Sequence, residues 1–80
     1  MWEVKAHPEA VADLLSWICE LAIPTLETNP LYVSSEVFSS ADGRIVVISR
    51  WSSNPVELVA PPRHLIDRAP HSWDFSPVDR

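Results

Sequence analysis

The stretch Tyr32-Val33-Ser34-Ser35-Glu36-Val37-Phe38-Ser39-Ser40-Ala41-Asp42-Gly43-Arg44-Ile45-Val46-Val47-Ile48-Ser49-Arg50-Trp51 decides the fold. Two runs of strand-favouring residues flank Asp42-Gly43, and Gly43 is the only glycine in the chain. Asp-Gly between such runs predicts a hairpin with a two-residue type I′ loop, which needs positive φ at both central positions. In that register Ala41 faces Arg44, Val37 faces Ile48 and Phe38 faces Val47. One face of the ribbon then carries Val33, Val37, Val46 and Ile48 with Ser35, Ser39 and Arg50. The other carries Phe38, Ile45, Val47 and Trp51 with Ser34, Glu36, Ser40 and Ser49. Both faces are substantially apolar, and one helix layer covers only one of them, so the second face calls for another sheet, that of a second copy.

Working outward, Trp2, Val4 and Ala6 alternate with Glu3 and Lys5, the period of a strand with one buried face. Pro8 and Glu9 suit the first turn of a helix. At about 100° per residue, Ala10, Val11, Leu14, Leu15, Trp17, Ile18, Leu21 and Ala22 fall in one arc opposite Glu9, Asp13, Ser16 and Glu20. Cys19 flanks the arc and reads as a small core residue. Pro24 cannot donate to the carbonyl of Glu20, so a kink or a tightened last turn is expected before Thr28-Asn29-Pro30. Beyond Trp51 the prolines at 55, 61, 62, 70 and 77 keep regular structure short. A turn or two of helix is expected around Val56 to Ala60 or Arg63 to Arg68, followed by a last strand over Ser72 to Ser76 with Trp73 and Phe75 on one face.

Composition narrows the function classes. Eighty residues correspond to one domain, 1–80, and a chain of this size buries only about 60 % of the surface its unfolded form exposes. A single cysteine forms no intrachain disulfide and no Cys/His cluster has zinc spacing, so a homodimer is the expected source of added stability. The net charge of −5, with scattered basic residues, argues against nucleic acid and anionic membrane surfaces as partners. No apolar run approaches the about 20 residues of a bilayer span, and no leader-like segment opens the chain, which makes a cytoplasmic location the expectation. There is no Gly-x-Ser-x-Gly motif and no glycine-rich phosphate loop, which sets aside hydrolases and nucleotide-dependent enzymes.

Strand, long helix, hairpin, short helical segment and final strand is the β-α-β-β-α-β order of ferredoxin-like α+β domains. Glu3-Val4 leading into Pro8 and a long helix, Ser35-Glu36-Val37-Phe38-Ser39-Ser40, Asp42, and Val47-Ile48-Ser49-Arg50-Trp51-Ser52-Ser53 resemble the dimeric α/β-barrel superfamily that includes the antibiotic-biosynthesis monooxygenases. The resemblance implies an antiparallel sheet that dimerises face to face into a barrel. It also implies cofactor-independent oxidation of a planar phenolic or quinone-like molecule. In such chemistry the substrate's own phenolate gives an electron to dioxygen, and the protein supplies an apolar pocket and a proton acceptor. A non-catalytic dimeric binding or accessory module is the alternative reading. Haem binding or degradation is a further one. It ranks lower because prolines cut the second helix and the first strand offers Glu3 and Lys5 where haem-degrading relatives place asparagine.

Four residues are the site candidates. His64, followed by Leu65 and Ile66, is the candidate proton acceptor, or an axial ligand in the haem reading; a solvent-facing histidine in a proline-rich loop is the competing account. Trp17 stands at the edge of the helix arc, where a pocket between helix and sheet would open. Tyr32 begins the second strand with a hydroxyl for a ligand oxygen or for the sheet edge. Arg50 shares a face with Ile48, offering a pocket charge or reaching past the sheet end. Trp2, Trp51 and Trp73 are assigned to core or dimer packing. No residue is assigned to metal or to a resident cofactor.

Overall fold

A computed structural model describes residues 1–76 and 78. Strand β1 (Trp2–Ala6) leads into a helical run made of a 3-10 turn (Pro8–Ala10), α1 (Val11–Trp17), a π-helical turn (Ile18–Ala22) and α2 (Ile23–Glu27). Strands β2 (Tyr32–Ser39) and β3 (Arg44–Trp51) form the hairpin, and a 3-10 turn (Arg63–Leu65) precedes β4 (Ile66–Ser72). The sheet order is β2-β3-β1-β4, antiparallel throughout. This α+β arrangement is compatible with a ferredoxin-like fold, with the second helix reduced to the Arg63–Leu65 turn.

The first strand and the helix lie where the sequence pattern puts them. Trp2, Val4 and Ala6 of β1 and Ile45 and Val47 of β3 are buried beneath Ala10, Leu14 and Ile18, with Leu65 closing the same cluster. Leu14, Ile18 and Ile45 are completely shielded from solvent. Ahead of Pro24 the helix widens, with the Ile23 amide donating to the Ile18 carbonyl, and its last turn tightens as expected, the Thr28 amide donating to the Thr25 carbonyl and the Asn29 amide to the Leu26 carbonyl. Widening removes the need for a Pro24 donor, and the helix continues to Glu27. The Thr25 hydroxyl donates to the Leu21 carbonyl at 2.7 Å, supplying a donor beside the proline. The buried positions Ala10, Leu14, Ile18, Ala22 and Leu26 are consequently spaced four apart. Leu21, which a regular pitch keeps in the apolar arc, is 49 % exposed, and Cys19 is exposed rather than packed in the core.

The hairpin is present, but its register differs by one residue from the type I′ expectation. Val37 pairs with Val47, Phe38 with Val46 and Ser39 with Ile45. The Gly43 amide donates to the Ser40 carbonyl at 3.2 Å, the Ser40 amide donates to the Arg44 carbonyl at 2.8 Å, and only Gly43 has positive φ, at 85°. Ala41, Asp42 and Gly43 therefore form a three-residue loop with glycine in the left-handed position. Asp42 keeps an ordinary negative φ, which avoids the cost a side chain meets on the left-handed side.

The slip re-sorts the faces. Val37, Ile45, Val47 and Trp51 face the helix with Ser35 and Ser49, whose hydroxyls are 2.8 Å apart. Phe38, Val46 and Ile48 lie on the opposite, open face with Glu36, Arg44 and Arg50. Val33 falls at a register shift and is 58 % exposed.

The C-terminal third departs most from expectation. Residues 52–62 contain no regular helix, so the turn expected over Val56 to Ala60 is absent, and the one over Arg63 to Arg68 is confined to Arg63–Leu65. Pro61 is buried, and Leu58 packs against the core in place of a second helix. The last strand runs over Ile66–Ser72, ahead of the expected Ser72 to Ser76, and accommodates Pro70 because β4 is an edge strand. His71 lies inside this strand opposite Glu3. Trp73 follows the strand, donating its amide to the Met1 carbonyl at 2.8 Å, and is exposed together with Phe75. Of the three tryptophans assigned to packing, Trp2 is buried, Trp51 is half-buried and Trp73 is exposed.

Candidate functional site

The larger of the two best-formed depressions lies where the end of the helix meets the end of β3. It is a half-open groove of about 410 Å³ lined by Thr25, Leu26, Thr28 and Asn29 and by Trp51, Val56, Glu57 and Val59, with Pro30 among them. This volume falls within the range of small-molecule sites. Chain connectivity creates it: pairing of Tyr32 with Trp51 brings the start of β2, and with it the helix terminus, beside the last residue of β3. The Ser52 amide donates to the Leu31 carbonyl at 2.9 Å, fixing the direction in which the extended 52–62 segment departs.

The helix terminus is closed by short polar contacts. The Thr28 hydroxyl donates to the Thr25 carbonyl at 2.7 Å, the Asn29 amide donates to the Leu26 carbonyl at 3.0 Å, and Asn29 Oδ1 accepts from the Leu31 amide at 2.9 Å. These bonds satisfy groups a helix end leaves orphaned and stop the chain for its turn into β2. Across the groove the Tyr32 ring meets Trp51 edge-on, with centroids 5.5 Å apart and planes at 84°. An edge-to-face partner restrains the indole. The Glu57 carboxylate accepts from the Ser72 hydroxyl at 2.7 Å, tying the 52–62 segment to β4 while lining the groove.

Chemically, the groove presents an indole, aliphatic side chains and proline, with two threonine hydroxyls, an asparagine and one carboxylate. That combination suits a flat, weakly polar molecule able to donate a hydrogen bond. Among the described residues Glu57 is the only ionisable side chain lining it, and its carboxylate oxygens can accept a hydrogen bond.

The four sequence candidates do not converge on this groove. Tyr32 contributes indirectly, through Trp51. Trp17 is half-buried on α1 and packs against the core. Arg50 is exposed on the open sheet face opposite Ser34, and His64 is exposed on the Arg63–Leu65 turn. None of the four lines either of the two depressions. Neither depression therefore gives His64 an adjoining space for a haem. Among the described residues no three His, Cys, Asp or Glu side chains are grouped as metal ligands, and no helix is long and apolar enough to cross a membrane.

Trp51, Thr25, Thr28, Asn29 and Glu57 were not legible as a site in isolation. The Tyr32 and Trp51 strand ends offered the signal, since any hairpin joining them also brings Asn29-Pro30 to Trp51. No protein-family model, no curated protein and no solved structure matches the chain.

Proposed function

We propose that this protein is a homodimeric binding protein for a planar phenolic or quinone-like small molecule, held against Trp51. The observation supporting the ligand class is the groove of about 410 Å³, whose aromatic wall is restrained by Tyr32 and whose polar groups lie at the helix terminus and at Glu57. A ring stacked on the indole buries apolar area on one side, and its hydroxyl meets Glu57 or a threonine. The binding and accessory reading is favoured over cofactor-independent oxidation because His64, the proton acceptor that oxidation calls for, does not line the groove. Binding of this kind calls for no resident cofactor.

The dimer half of the proposal rests on the open sheet face. Phe38, 50 % exposed, adjoins Val46 and Ile48 there, and a second copy of the same face gives these side chains a partner. Sheet-to-sheet association would form the barrel expected from the superfamily resemblance.

Titration of the purified protein with a hydroxynaphthalene, read by tryptophan fluorescence and by calorimetry, tests the ligand assignment. Saturable binding at micromolar ligand is expected, weakened about tenfold in Trp51→Leu, the scale of a lost aromatic contact. Absence of saturation, or unchanged binding in a folded Trp51→Leu variant, would overturn it. Oxygen uptake with the same compound separates the two readings: steady consumption returns the protein to the monooxygenase class, and none leaves it a binder.

A further inference from the structure

A row of cations crosses the open face at the hairpin end of the sheet. Lys5 lies directly opposite Arg44 on β3 and directly opposite Arg68 on β4, so three of the chain's six Lys and Arg residues stand side by side across three strands. Like charges directly opposite one another on a sheet face are destabilising.

The backbone of β4 departs from regular pairing to produce this row. Continuing the register of Glu3 with His71 would set Ala69 opposite Lys5, and continuing that of Ala6 with Ile66 would set Asp67 there as an ion pair. Register shifts on either side of Lys5 set Arg68 there instead. Asp67 is engaged elsewhere, its Oδ1 3.7 Å from Nδ1 of His7. Among the described residues Arg44 pairs with Asp42 at 3.3 Å, and no carboxylate pairs with Lys5 or Arg68.

Charge is also unevenly divided between the two layers. The helical run carries exposed Glu9, Asp13, Glu20 and Glu27 and no Lys or Arg, whereas Lys5, Arg44, Arg50 and Arg68 share the open sheet face with Glu3 and Glu36 in a chain whose net charge is −5. Between the cations lies a depression of about 70 Å³, bordered also by Glu3 and His71. Its volume is that of a few water molecules.

We infer that the Lys5–Arg44–Arg68 row binds an oxyanion, the carboxylate or phosphate group of a small molecule. Lys5, Arg44 and Arg68 all line the depression, and ammonium and guanidinium donors suit planar or tetrahedral oxygen groups. An anion there offsets the repulsion along the row. The site lies on the opposite face of the sheet from the Trp51 groove and stands independently of the ligand proposed for that groove; it shares the face proposed to meet a second copy and requires that the hairpin end of that face stay uncovered in the dimer.

The test follows backbone amide shifts of the isotope-labelled chain during titration with inorganic phosphate or with acetate, at constant ionic strength set by sodium chloride. Saturable shifts at Lys5, Arg44 and Arg68 are expected, weakened about tenfold in Lys5→Met and in Arg68→Met. Saturation by phosphate alone identifies a phosphate group, and saturation by acetate as well identifies a general oxyanion site. No response beyond the chloride control, or a response retained in the Lys5→Met/Arg68→Met double variant, would overturn the inference. So would weakened self-association of that double variant with its phosphate response intact, since the row would then be matched by carboxylates of a second copy. Melting temperature gives a second readout. Without phosphate, Arg68→Met should melt higher than the native chain because a like-charge contact is gone, and phosphate should raise the native value more than the variant's. A lower melting temperature for the variant would contradict an uncompensated row.

Discussion

The Ala6 amide donates to the Gly43 carbonyl at 2.9 Å, and the Ala6 carbonyl lies 3.3 Å from the point where a Cβ on Gly43 would stand. The hairpin loop is thereby seated against the end of β1, immediately before the helical run begins. Gly43 serves two requirements at once, a φ of 85° and close approach of another backbone. Gly43→Ala should accordingly lose about 1–2 kcal/mol from the backbone conformation alone. Urea denaturation would measure this, and an unchanged midpoint would show that the loop can take another geometry.

The two sheet faces should respond differently to substitution. Leu14, completely shielded under the helix, should cost about 2–5 kcal/mol on truncation to alanine. Phe38→Ser removes a half-exposed ring from the open face, so its main effect should fall on self-association rather than on unfolding of each subunit. Sedimentation equilibrium of Phe38→Ser against the native chain checks this. Equal association constants would remove Phe38 from the proposed interface.

His64 and Trp51 offer a direct contrast. His64 is exposed on a single turn and lines neither depression, while Trp51 forms a wall of the larger one. His64→Ala should leave binding of a hydroxynaphthalene unchanged, whereas Trp51→Leu should weaken it about tenfold. A large loss in His64→Ala, read by calorimetry on a variant with a native circular dichroism spectrum, would restore His64 to the site.

Asp42 should titrate below the ordinary aspartate value. The Ser40 hydroxyl donates to its carboxylate and lowers the pKa; desolvation opposes this in part, and the Arg44 guanidinium adds a smaller lowering effect. Since the folded value is the depressed one, this contribution to stability is present above the unfolded aspartate value and is lost as pH falls through the folded value. Carbon NMR of the Asp42 carboxyl should show its midpoint rising in Ser40→Ala. A midpoint that stays in place would assign the shift to Arg44 instead.

Much of the architecture was legible because it is written in periodicity. Alternation at Trp2, Val4 and Ala6, the helical arc from Ala10 to Ala22, and paired strand-like runs around Gly43 each describe a local pattern with one physical solution. The loop register was not, because Asp42-Gly43 satisfies both a two-residue and a three-residue hairpin. The presence of one glycine favours the second, in which only one residue needs positive φ. Strand β4 was displaced in the reading because Pro70 argues against a strand interior, and a sheet edge tolerates it. The Trp51 groove escaped because its far wall comes from Val56, Glu57 and Val59, in a segment without periodic structure. The four residues favoured as a site were selected one at a time for their chemistry, whereas a binding site depends on which elements terminate beside one another.

The widened turn at Ile18–Ala22 acts as a rotational offset between two parts of one helix. Upstream of it, side chains answer only to the core; downstream, Leu26 must still face inward while Thr25 and Thr28 are left to line the groove. A chain lacking one residue in that turn would close it to a regular α-helical turn, keeping Leu26 inward but setting Pro24 where an amide donor is needed and its ring against the carbonyl four residues back. Length within this turn is therefore more constrained than composition: Cys19, Glu20 and Leu21 are exposed and replaceable, yet none of them is dispensable.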